Sequence, residues 1–66
     1  DSLIGGRIRA RRVELGMTQE RLAAGARMDR TAIGKIERGE RSVTVGTLSK
    51  LAKALRTTMA TILGGL

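Results

Sequence analysis

The amino-acid sequence predicts an all-α fold: a compact domain of five short helices, the second and third joined by a tight turn. Three observations carry this. Apolar residues recur at helical spacing almost throughout, and no run alternates convincingly like a strand. One start signal occurs three times, an apolar residue, then a short polar capping residue, then an apolar residue four places past the cap: Met17-Thr18-Leu22, Met28-Asp29-Ile33 and Val43-Thr44-Leu48. Glycines stand where helices would stop, at Gly16 and Gly39.

The elements follow in order. The first helix runs from about Leu3 to Leu15, with Ile4, Ile8 and Leu15 on one stripe, and Gly16 ends it. Arg12 falls on the same stripe, four residues after Ile8. Thr18 caps the second helix, and Gln19 and Glu20 in its first turn suit the helix dipole. Asp29 caps the third, which stops before Gly39. Thr44 caps the fourth, whose Leu48, Leu51, Ala52 and Leu55 form an apolar face. Thr58 opens a short fifth helix ending near Leu63. Gly5, Gly25, Gly34 and Gly46 sit inside helical stretches and cost about 1 kcal/mol each relative to Ala.

The 66 residues read as one domain over 1–66, with no linker, repeat or low-complexity stretch. A chain this short buries little apolar surface, and the absence of Cys and His removes disulfide and zinc staples. The core must be aliphatic, because there is no Phe, Tyr or Trp. The same lack excludes base stacking on aromatic rings and argues against single-strand and most RNA binding.

Catalysis is disfavoured. The usual bases and nucleophiles, His and Cys, are missing, the acidic residues are scattered among basic ones, and no phosphate-cradling glycine motif is present. No catalytic residue, metal ligand, cofactor or small-molecule ligand is expected. No apolar window is long enough to cross a membrane, and the start, DSLIGGRIRARR, places Gly and Arg where a signal peptide needs an apolar core. The cytoplasm is therefore the expected location. A basic amphipathic peptide lying on lipid would be one uninterrupted stretch, whereas caps and glycines cut this pattern four times.

The charge points to a polyanion. There are 13 Lys or Arg against 6 Asp or Glu, a net charge of +7, and ten of the 13 lie between Arg7 and Arg41. Within that span, TQERLAAGARMDRTAIGKIERG at residues 18–39 reads as two short helices with a basic second one. Arg30, Thr31, Gly34, Lys35 and Arg38 are placed on the face opposite Ile33 and Ile36. Such a unit suits double-stranded DNA: one helix braces on the backbone while the other enters the major groove.

From Ile4 to Leu63 the chain resembles the lambda-repressor-like helix-turn-helix domains of phage repressors, Cro-type proteins and their bacterial relatives. The resemblance is carried by RARRVELGMTQERLA (Arg9 to Ala23), AIGKIERGER (Ala32 to Arg41) and TLSKLAKAL (Thr47 to Leu55). It implies a sequence-specific transcriptional regulator, of the repressor kind, acting on a double-stranded DNA operator. The base-reading positions it implies are Arg30, Thr31 and Lys35. Those implied along phosphates are Arg9, Arg12, Gln19, Arg38, Arg41 and Thr44. It also implies an ion pair between Arg12 and Glu37, and Ala23 as the small residue packing the two helices together. Met59, Ile62 and Leu66 are more apolar surface than a short last helix needs for its own packing. Small regulators of this kind commonly pair through their last helices, so these three are the expected homodimer interface; the competing reading is that all three finish the monomer core. A helix-turn-helix module used for protein contacts, in a coactivator or an antitoxin, is the alternative.

The chain departs from the family pattern at three places. Arg27 stands where the turn usually has Gly, with a Gly two residues earlier at Gly25. Val43 replaces a common Pro, and Gly46 a common Glu. If the turn keeps the family's shape, Arg27 takes a positive φ.

Overall fold

The structure, a computed structural model, describes residues 2–64. Among the described residues there are five helices and no strand: α1 (Ser2–Glu14), α2 (Gln19–Ala26), α3 (Arg30–Glu37), α4 (Val45–Ala54) and α5 (Met59–Leu63). The all-α expectation holds, and each helix lies within a residue or so of its expected bounds.

The capping residues explain the starts. Thr18, Thr44 and Thr58 hold extended backbone, and their hydroxyls accept from the backbone N–H groups of Arg21, Thr47 and Thr61. Each satisfies one of the amides that a helix start leaves without a partner. Asp29 occupies the same position before α3 but makes no side-chain capping bond, so its carboxylate is left out of the cap.

The ends share one geometry. In α1 to α4 a residue just past the helix turns into the left-handed region, and the next amide reaches back five residues: Met17 to Arg12, Met28 to Ala23, Glu40 to Lys35 and Thr57 to Ala52. The left-handed residues are Gly16, Arg27, Gly39 and Arg56. Two are glycines, as the sequence anticipates, and Arg27 has the positive φ of 56°. Arg56, at φ 54°, has no forewarning in the sequence.

The core is aliphatic. Ile8, Leu22, Ile33, Ile36, Leu51 and Leu55 are fully buried, with Ala23, Ala26, Leu48, Ala52 and Ile62 completing the cluster. α2 lies against α3 and α4, while α1 crosses α3 and meets α5. Met17, Met28 and Val43, the residues before the caps, pack against this cluster as the start signal implies.

Gly5 makes the α1–α3 crossing possible. A Cβ there would fall 2.0 Å from the carbonyl oxygen of Ile36, too close for any side chain. The glycine in α1 therefore lowers helix propensity but lets two backbones touch.

Ile62 corrects the expected pairing surface. It is 3% exposed and belongs to the monomer's own core, because α5 closes the bundle over α1 and α4. Met59 is half-buried against the same cluster. Leu66 lies outside the described residues.

Candidate nucleic-acid interface

The candidate interface rests on a buried polar junction. Glu37, at the end of α3, is 7% exposed and accepts three hydrogen bonds. Arg12 donates from Nε to Oε2 at 2.7 Å and from Nη2 to Oε1 at 3.0 Å. Gln19 donates from Nε2 to Oε1 at 3.1 Å. Arg12 Nη1 also reaches the carbonyl of Met17 at 2.8 Å. One carboxylate thus ties α1, the start of α2 and the end of α3 together. A buried carboxylate is tolerable only when paired in this way. Hydrogen bonding to Glu37 raises the Arg12 guanidinium above its ordinary pKa, against the opposing effect of burial.

This geometry pairs Arg12 with Glu37 and withdraws Arg12 from the phosphate-facing set. Its guanidinium is turned inward, and its side chain is 11% exposed. Gln19 sits at the α2 start but gives its amide to Glu37, so a phosphate there would have to share that donor.

The outer face belongs to α3 and the segments flanking it. Arg30, Thr31, Lys35, Arg38 and Arg41 are all exposed. Arg30 Nε lies 3.1 Å from Oε2 of Glu20 on α2. Arg38 makes a forked contact with Glu40, Nε to Oε2 at 2.9 Å and Nη2 to Oε1 at 3.3 Å. That hydrogen bond, with the charge behind it, holds the Glu40 carboxyl below its ordinary pKa. Lys35 and Arg41 have no ion pair among the described residues.

Gly34 departs from its expected place on the polar surface. It is buried, and a Cβ there would lie 3.1 Å from Nη1 of Arg38. The absence of a side chain lets the Arg38 guanidinium lie back over the helix. Thr44 caps α4 as expected and stays exposed. Its hydroxyl accepts from the Thr47 amide and donates to the Thr47 hydroxyl at 3.0 Å. Arg9 is exposed on α1.

Two further arginines have roles the sequence did not reveal. Arg7 Nη1 donates to the carbonyls of Ile62 and Leu63 at the end of α5. Arg11 donates from Nε to Leu55 at 3.0 Å and from Nη2 to Arg56 at 3.2 Å, at the end of α4. Each satisfies carbonyls that a helix end leaves free, with a positive charge at the negative pole of the helix. Their i, i+4 spacing places them on one flank of α1. Their partners are backbone atoms, which no residue pattern announces.

Among the described residues no helix is long and apolar enough to cross a membrane, and no group of acidic residues could hold a metal.

The arrangement has relatives among known proteins. A family model described as helix-turn-helix matches residues 8–62. The control protein C.SmaI of Serratia marcescens is 41% identical over 61 residues, covering 92% of this chain and 73% of that protein. The crystal structure of the restriction-modification controller protein C.AhdI from Aeromonas hydrophila superposes with a TM-score of 0.90 at 36% identity, covering 92% of each chain. A nucleoprotein complex of C.Esp1396I contains a chain 37% identical to this one, with a TM-score of 0.85, covering 94% of this chain and 80% of that one.

Proposed function

The chain belongs to the helix-turn-helix family of DNA-binding transcriptional regulators, and from that premise we propose that it is a restriction-controller-like protein that reads an operator in the major groove with α3. The observation that carries this reading is the outer face of α3. Its basic side chains are exposed, while Glu37 behind them locks the angle between α2 and α3. Phosphate contacts from Arg9, Gln19, Arg38 and Arg41 supply affinity and register, and Arg30, Thr31 and Lys35 supply base preference. Arg30 and Lys35 suit guanine O6 and N7, and Thr31 a thymine methyl or a phosphate.

The protein works by binding alone, in the cytoplasm, without catalysis. Occupancy of the operator represses by blocking polymerase. Two copies pair through the C-terminal part, which sets their reading helices about 34 Å apart, one turn of DNA. With Ile62 inside the core, the pairing contact falls to Met59 and the outward side of α5.

Selection of binding sites from random duplex at fixed salt, followed by titration at several salt concentrations, tests this reading. The expected result is a defined, roughly palindromic site and an affinity that falls steeply with salt. Equal, weak binding to all duplexes would overturn operator reading. Light scattering that gives a monomer at high micromolar concentration, with and without the selected duplex, would overturn the dimer.

A further inference from the structure

Glu20, like Glu40, is an acidic side chain on a surface built to meet a polyanion. It lies in the first turn of α2, 67% exposed, with Oε2 at 3.1 Å from Nε of Arg30, itself 60% exposed. The pair bridges the opening turns of the two helices of the helix-turn-helix. Exposed ion pairs add little to stability, so stability is a poor reason for this one. A carboxylate next to phosphates also opposes binding, since it subtracts from the positive charge that displaces counterions. What the pair does provide is orientation. Arg30 is the first residue of α3, with a long, flexible side chain and no other ion-pair partner among the described residues.

Gln19 also opens α2, but its amide is committed inward to Glu37 at 3.1 Å. The neighbouring Glu20 is therefore the α2 side chain that reaches the reading helix from outside.

We propose that Glu20 is a specificity-determining positioning residue, which holds the Arg30 guanidinium toward base edges and away from the flanking phosphates. The inference rests on the operator-reading role of α3. Specificity is a difference of affinities, and a residue can raise it by weakening the wrong complexes. Without Glu20, Arg30 is free to swing to the nearest phosphate and bind any sequence. With Glu20 in place, that swing breaks an ion pair, and it leaves a carboxylate facing phosphate oxygens. When DNA covers the face and excludes water, both penalties grow, because charges interact more strongly at lower dielectric.

The test is a cycle of Glu20→Gln, Arg30→Ala and the double variant, titrated on the selected site, on duplexes with single mismatches, and on an unrelated duplex. Glu20→Gln should leave the melting curve unchanged and tighten binding to the unrelated duplex. It should also reduce the mismatch penalty at one base pair, by about fivefold if Arg30 no longer reads that base. In the Arg30→Ala background the same substitution should leave every mismatch penalty alone. A purely structural role would instead move the melting curve, or weaken all duplexes together. Unchanged mismatch penalties in Glu20→Gln overturn the inference, as does an equal effect with and without Arg30. Absence of salt-dependent duplex binding by the unsubstituted chain is a separate outcome. It overturns the operator reading and this inference with it.

Discussion

The arginines of α1 and those of the α2–α3 unit belong to the same residue type and meet opposite fates. Arg7, Arg11 and Arg12 donate to carbonyls and to a buried carboxylate of their own molecule. Arg30, Arg38 and Arg41 stay exposed on and just beyond the reading helix, two of them steadied by exposed glutamates and the third without an ion pair among the described residues. Net charge alone treats these groups alike. The difference lies in what each can reach: α1 runs past the ends of α3, α4 and α5, where unpartnered carbonyls and Glu37 are waiting, whereas the outward face of α3 meets solvent and two exposed glutamates. Of the 13 basic residues, Arg7, Arg11 and Arg12 are therefore engaged within the molecule, and the side chains free to reach DNA are among the remaining exposed ones.

The largest effect expected from this contrast is at the buried junction. Glu37→Ala removes the partner of Arg12 and of Gln19 together, and breaking a buried pair in this way costs about 3–5 kcal/mol. In a domain this small that is enough to shift most of a denaturation curve or to abolish folding. Arg38→Ala, which breaks the exposed pair with Glu40, should leave the midpoint close to the unsubstituted protein. Chemical denaturation followed by circular dichroism measures both. Equal midpoints for the two variants would erase the distinction between the two arginine classes.

Two adjacent glycines sharpen the same division between inside and outside. Gly5→Ala drives a methyl group into the Ile36 carbonyl and should destabilise by about 1–3 kcal/mol. Gly6→Ala meets nothing within 4 Å, and should stabilise α1 by about 1 kcal/mol through helix propensity. Opposite signs at neighbouring positions are the expected thermal-melting result. The same sign at both would mean that α1 does not cross α3 at Gly5.

These pairs also show what is legible in the sequence. Helix starts are, because Thr18, Thr44 and Thr58 each sit before an apolar residue at the right distance, and capping is a local event. Helix ends at Gly16 and Gly39 are legible for the same reason. The tie between Arg12 and Glu37 enters through the family resemblance, prompted by an arginine on an apolar stripe. The role of Gly5 is not legible, because its close approach is to backbone 31 residues away in the chain. Neither are those of Arg7 and Arg11, whose acceptors are carbonyl oxygens that every residue carries. Periodicity does not assign Ile62 to core or partner, since both want an apolar residue at that spacing. Helical phase puts Gly34 outside, but the Arg38 side chain lies over it.

On DNA, the exposed set itself should divide. Arg30→Ala or Lys35→Ala should cost about 1–3 kcal/mol on the best site and relax preference at particular bases. Arg38→Ala or Arg41→Ala should weaken all duplexes alike and flatten the salt dependence by a slope of about 0.9 for each phosphate no longer neutralised. Titrations at several salt concentrations on matched and single-mismatch duplexes separate the two patterns. Equal slopes and equal mismatch penalties for Arg30→Ala and Arg38→Ala would remove the distinction between readers and positioners.

The smallest effect concerns two arginines that belong to neither class. Arg27 and Arg56 take the left-handed conformation at the ends of α2 and α4, at positions equivalent to those of Gly16 and Gly39. That conformation costs a non-glycine residue roughly 1–2 kcal/mol. Glycine relieves it, but its freer unfolded chain takes back roughly 0.5–1 kcal/mol. Arg27→Gly should therefore raise stability by a few tenths to about 1 kcal/mol. Arg56→Gly should gain less, because Arg56 borders a surface hollow shared with Leu15, Met17, Arg21 and Ala54, where the stem of a long side chain can cover apolar surface that glycine leaves open. The carbonyl of Arg56 that accepts from Arg11 survives the change in either case. Thermal melts of the two variants rank them directly. A loss of stability in Arg27→Gly would show that the Arg27 side chain makes a contact worth more than its backbone strain, which would move it into the same class as the arginines of α1.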